Sequence, residues 1–177
     1  MTETAASPDG TLERTADGGI IRFERRLPHP VEAVWDAITD PARLADWWLP
    51  FDADITVDLR AGGEMVFAAR SGEPPPMTCT ILRVEPPVLF EHTHFVANVT
   101  LRWELEPVPE GTVLRFSQYV PDVDDAVEGC WMVGLHASLA RLGPALAGTP
   151  VPWDWDSFAA HQTRYAEQGL AAPVSEA

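Results

Sequence analysis

The chain has 177 residues, 46% of them hydrophobic, which is enough for one domain with a substantial core and too little for a second. Acidic residues number 27 against 12 lysines and arginines, a formal charge of −15. With no local run of basic residues, that charge repels phosphate backbones and anionic lipid surfaces and argues against nucleic acid or membrane as a partner.

The opening residues MTETAASPDGTLERTADGG are polar and lack the apolar stretch of a secretion signal. Residues 1–18 therefore read as a disordered tail, and the protein as cytoplasmic. Ile21, Phe23, Arg25 and Leu27 then alternate with Ile20, Arg22, Glu24 and Arg26, a strand pattern with one largely apolar face. Val31, Val34, Trp35 and Ile38 recur at i, i+3, i+4 and i+7, predicting a short helix with Pro30 at its first position and Glu32 near its positive end. Asp40 supplies a cap and Pro41 a fixed φ for a second short helix, which carries Leu44, Trp47 and Trp48 on one face. Helices this short need a larger surface to lie on.

Period-two runs follow at Ile55, Val57 and Leu59, at Met65 and Phe67 after a Gly62–Gly63 turn, and from Thr78 to Val84. They continue from Leu89 to Phe95, Val99 to Glu106 and Thr112 to Val120. The prolines and glycines between them predict an antiparallel meander. Near Asp124 or Asp125 the period changes, and Trp131, Leu135, Leu139, Leu142 and Leu146 form the stripe of one long amphipathic helix, with Pro144 kinking or fraying its last turn. His136, Arg141 and Pro144 interrupt this apolar stretch and argue against a membrane span. Trp153 and Trp155 fall in an extended link, and Asp156 or Ser157 can cap an appended helix over about 156–168. Residues 169–177 read as a second tail, leaving 19–168 as one domain. Cys79 and Cys130 sit in an apolar strand and an apolar helix, as buried thiols rather than a disulfide or metal pair.

Taken in order, VEAVWDAITDPARLADWW, the GGEM turn, EPPVLFEHTHF, LRWELEP, GTVLRF and GLHASLARLGPALAGTPV resemble the START-like helix-grip superfamily, also called SRPBCC, and within it bacterial homologues of the heat-shock ATPase activator. The resemblance spans roughly Ile20 to Tyr165. It implies an α+β helix-grip fold: a curved antiparallel sheet of six to seven strands wrapped around a long C-terminal helix, with two short helices between strands 1 and 2. Such a helix and sheet can enclose a cavity. His136 matches a histidine of related sequences. His94, Gln118 and Leu135 stand where relatives tend to carry tryptophan, histidine and tryptophan, a change in the bulk and polarity of the expected cavity.

His92 and His94 share a strand face with Phe90. Two inward imidazoles could bind a metal, act as acid and base, or hydrogen-bond a ligand, with His136 as a third group. No cysteine or carboxylate pattern completes a metal motif, so no metal and no cofactor is expected, and ordinary structural or solvent-facing histidines are the preferred reading. Trp47, Trp48, Phe67, Trp103, Phe116, Trp131 and Leu135 fall on inward faces, either as plain core or as lining of a ligand cavity, with Gln118 and His136 as its polar anchors. Glu91 and Glu104 read as partners of Arg102 and Arg115 in cross-strand charge pairs. No nucleophile elbow, phosphate loop or dinucleotide motif is present.

The expected function is non-covalent binding of a small hydrophobic or aromatic molecule. One alternative is a polyketide cyclase or aromatase using His92, His94 or His136 as proton carriers. A second is a chaperone-associated interaction module. A homodimer through Trp153, Trp155 and the last helix is also possible.

Overall fold

The computed structural model describes residues 7–175. In chain order its elements are β1 (Thr11–Thr15), β2 (Gly18–Leu27), α1 (Val31–Thr39), α2 (Pro41–Leu44), β3 (Ala53–Val57), β4 (Glu64–Ala69), β5 (Met77–Glu85), β6 (Leu89–Thr93), β7 (Thr100–Val108), β8 (Gly111–Val120), α3 (Val123–Glu128), α4 (Trp131–Leu146) and α5 (Trp155–Glu167). The strands form one antiparallel sheet in the order β1-β2-β8-β7-β6-β5-β4-β3. It is the predicted helix grip, with eight strands instead of six or seven.

The additional strand lies in the segment read as a tail. TLERT is mostly exposed and has no apolar face to betray it. It is held by pairing with β2 across a tight turn at Gly18, whose φ of +147° suits glycine and where a Cβ would lie 2.2 Å from the Val120 carbonyl oxygen. The C-terminal tail is also partly tied down. Ala171 is buried, and the Ala172 amide donates to the Val127 carbonyl at 3.0 Å. Residues 1–6 and 176–177 of the two expected tails lie outside the described residues.

The two short helices form as their caps dictate. The Asp40 carboxylate accepts from the amides of Ala42 and Arg43 at 2.9 and 3.1 Å, and Pro41 opens α2. Pro30 sits at the cap position of α1 rather than inside it. The predicted long helix is two helices, because the chain breaks at Gly129 and Cys130. Asp122 caps α3, and Cys130 precedes α4 in the left-handed region at φ 54° instead of lying inside a helix. Helix α4 continues two residues past Pro144. The cap of α5 is Asp154, so Trp155 opens the helix rather than ending a link.

Strand register lays the inward side chains out in rows. Phe23, Phe116, Trp103 and Phe90 are direct cross-strand neighbours, and the next row is Ile21, Gln118, Leu101, His92 and Ile81. The first row is solid core. Trp103 packs against Phe116, Trp48 and Trp47 with ring centroids 4.5, 5.3 and 6.0 Å apart. Outward, Arg102 pairs with Glu91 and Glu104, and Arg115 with Glu24 and Glu106. Being exposed, these pairs add little stability.

Candidate functional site

A cavity of about 210 Å³ opens between α4 and the second row. From the helix, Trp131, Gly134, Leu135 and Ser138 face it at i, i+3, i+4 and i+7, and Gly134 leaves open space where a Cβ would otherwise project. The sheet contributes Phe67, Met77, Cys79, His92, Leu101 and Gln118, and the rim is formed by Trp48, Leu49, His94 and Phe95. No carboxylate, lysine or arginine side chain lines it.

Of the residues singled out in the sequence, Trp48, Phe67, His92, His94, Gln118, Trp131 and Leu135 meet at this cavity. Trp103 and Phe116 are buried in the solid row beside it, and Trp47 is buried against Trp103. Trp47 is pinned by its indole N–H, which donates to the Ala37 carbonyl at 2.9 Å. His136 lies elsewhere. Its Nδ1 is 2.8 Å from the Tyr165 hydroxyl, and its ring packs on His161 with centroids 4.0 Å apart, beneath α5. The three histidines therefore do not converge. Trp153, Trp155 and Phe158 form a separate aromatic cluster near the start of α5, with Trp155 63% exposed.

Leu49, Met77, Cys79, Phe95, Leu101, Gly134 and Ser138 also line the cavity without having been singled out. Gly134 and Ser138 carried a legible signal, as small residues on the same helical face as Trp131 and Leu135. Leu101 shares its strand face with Trp103.

The rim is fastened to α4. The Ser138 hydroxyl donates to the Trp48 carbonyl at 2.9 Å, and the Arg141 guanidinium donates to the carbonyls of Trp47 (2.9 Å), Leu49 (2.7 Å) and Asp46 (3.3 Å). These bonds hold Trp48 and Leu49 over the opening.

The ionisable groups of the cavity are uncharged at neutral pH. Burial pushes the Cys79 thiol up to about 11, which removes it as a nucleophile. Burial lowers His92 to about 4 against the opposing pull of the Thr93 carbonyl, and burial followed by the proximity of His92 lowers His94 to about 4. His92 is also fully bonded, with Nδ1 2.8 Å from the Thr93 carbonyl oxygen and Nε2 receiving the Trp103 indole N–H at 3.1 Å. His94 Nδ1 accepts from the Val96 amide at 3.1 Å, and its ring stacks on Trp131. The arrangement is suited to enclosing an apolar body and poorly suited to moving protons. Among the described residues, no cluster of three or more histidine, cysteine or acidic side chains is placed to hold a metal ion, and no helix is long and apolar enough to cross a membrane.

The family model described as Activator of Hsp90 ATPase homolog 1-like protein matches residues 28–147. Among solved structures, CalU16 from Micromonospora echinospora superposes with a TM-score of 0.69 at 24% identity, over 95% of this chain and 100% of that one. EF2215 of Enterococcus faecalis, a conserved protein of unknown function, gives 0.73 at 19% identity over 90% and 89% of the two chains. CV1439 of Chromobacterium violaceum gives 0.54 at 28% identity over 70% and 94%. No curated protein matches the sequence.

Proposed function

We propose, from the premise that this chain belongs to the Activator of Hsp90 ATPase homolog 1-like family within the START-like helix-grip superfamily, that it binds a small hydrophobic or aromatic molecule between α4 and the sheet, without covalent catalysis. The observation carrying this reading is the 210 Å³ space walled by Trp48, Phe67, Leu101, Trp131 and Leu135. Cores are normally filled to crystal density, and a space this large left open beside a densely packed row is unusual for plain structure. An apolar cavity of about 150 Å³ takes up benzene, so the volume suits one or two fused rings. A cyclase would need a proton carrier in the cavity, whereas His92 has both nitrogens engaged, His136 is outside it, and His94, at the rim, has its Nδ1 taken by the Val96 amide and is held neutral by burial. An interaction module has no use for an accessible cavity.

Naphthalene is a suitable probe, with binding followed by calorimetry and by the melting temperature, which rises as ligand binds the folded state. The decisive variant is Gly134→Leu, whose Cβ meets nothing within 4 Å and whose side chain extends into the cavity. It should raise the melting temperature, since glycine inside a helix costs about 1 kcal/mol, while abolishing naphthalene binding. Undiminished binding by Gly134→Leu, or no binding by the unmodified protein, would refute the reading.

A further inference from the structure

Six polar side chains are buried among the described residues: Thr39, His92, Thr112, Gln118, His136 and Ser138. Five have protein partners. Thr39 donates to the Trp35 carbonyl and Thr112 to the His29 carbonyl, both at 2.8 Å, and Ser138 donates to that of Trp48 at 2.9 Å. His92 is bonded through both nitrogens, and His136 meets Tyr165. Gln118 is the exception. It is 2% exposed, in an interior strand between Ile21 and Leu101, and no described protein group hydrogen-bonds its amide. It lines the cavity, and its amide atoms are not among the side-chain polar atoms sealed from solvent without a partner, so the amide reaches the space a ligand would fill.

With the cavity filled by a purely apolar body this amide would lose its access to water, a cost that leucine in the same apolar row would not incur. The amide is therefore read as a recognition group. It offers both a donor N–H and an acceptor oxygen, so it can meet either a carbonyl or a hydroxyl. The lining has no charged side chain to neutralise a carboxylate or an ammonium, which would lose its hydration on entry and gain no counter-ion.

We infer that the ligand is an uncharged aromatic molecule of one or two fused rings bearing a hydroxyl or carbonyl oxygen that hydrogen-bonds the Gln118 amide. The inference rests on the binding reading above and adds ligand class and orientation to it.

The test compares naphthalene, 2-naphthol and 2-naphthoate at pH 7 by calorimetry, on the full chain and on Gln118→Leu. Naphthol is better hydrated than naphthalene, so apolar burial alone favours naphthalene. The unmodified protein should bind 2-naphthol roughly three- to tenfold tighter than naphthalene, the gain of one net hydrogen bond, and naphthoate more weakly than either. In Gln118→Leu the naphthol preference should vanish or reverse while naphthalene still binds. Gln118→Met serves if the leucine variant does not fold. Equal binding of naphthol and naphthalene by the unmodified protein, a naphthol preference that survives in Gln118→Leu, or naphthoate as the tightest probe would each overturn the inference and leave the cavity reading standing. If no probe binds, both fall together.

Discussion

The Trp103 indole N–H can only donate, so the His92 Nε2 it meets at 3.1 Å has to accept, and the ring proton is placed on Nδ1 against the Thr93 carbonyl at 2.8 Å. Protonating Nε2 would set donor against donor inside a ring that is 4% exposed. Nitrogen-resolved NMR should therefore show His92 as the Nδ1–H tautomer, with no titration between pH 8 and 5. A titration midpoint above pH 6 would exclude this assignment. The sequence placed His92 on one strand face with Phe90, because alternation alone decides that. It did not show the bond, which joins diagonal neighbours and exists only once register sets Leu101 opposite His92 and Trp103 opposite Phe90. The same gap separates Trp47 from Trp48. Adjacent on one short segment, one seals the core and the other the cavity rim, and only the partners of each ring distinguish them.

Helix α4 carries three functions on three faces, and its sequence displays them unequally. Leu139 and Leu142 are buried core and follow the apolar stripe directly. The cavity face is legible only in part, since glycine and serine read as gaps in a stripe rather than as deliberate space. Arg141 was legible only as an interruption of an apolar run, although it gathers the carbonyls of Asp46, Trp47, Leu49 and Val151. Backbone acceptors leave no residue-type signature. Removing this clamp in Arg141→Ala should cost about 2 kcal/mol, the scale of hydrogen bonds to a charged donor. For a chain of this length that lowers the melting temperature by roughly 4–8 °C. Probe affinity should fall as well, because Trp48 and Leu49 lose their anchor. A variant with unchanged melting temperature and unchanged naphthalene affinity would show that the rim is held by packing alone.

Across the whole molecule, the element order and the antiparallel meander were readable from period changes and turn residues, while the edge strand β1 and the docked C-terminal residues were not, because pairing and burial at those ends depend on distant groups. One such arrangement joins the N-terminal segment, α4 and α5: the Gly10 amide donates to the Tyr165 hydroxyl at 2.8 Å, and that hydroxyl lies 2.8 Å from His136 Nδ1. His136 is lowered to about 3, first by burial and then by His161, Arg25 and Arg164, with Asp9 3.9 Å away. His92 and His94, at the cavity, are each lowered to about 4. All three have folded pKa values below the unfolded value of about 6.5, so above that pH neither state binds the proton and stability is unaffected. As pH falls through 6.5 the unfolded chain takes up protons that the folded chain refuses, and stability drops until the folded pKa values are reached. Each histidine removes about 2 kcal/mol by pH 5, a large share of the stability of an ordinary domain. Urea unfolding between pH 8 and 5 should show a plateau above pH 7 and a decline below it. In His136→Gln, which can still accept from the Tyr165 hydroxyl and cannot titrate, that decline should be shallower by about one proton. A flat profile down to pH 5, or an unchanged slope in the variant, would show that these imidazoles do not govern the acid limit of the fold.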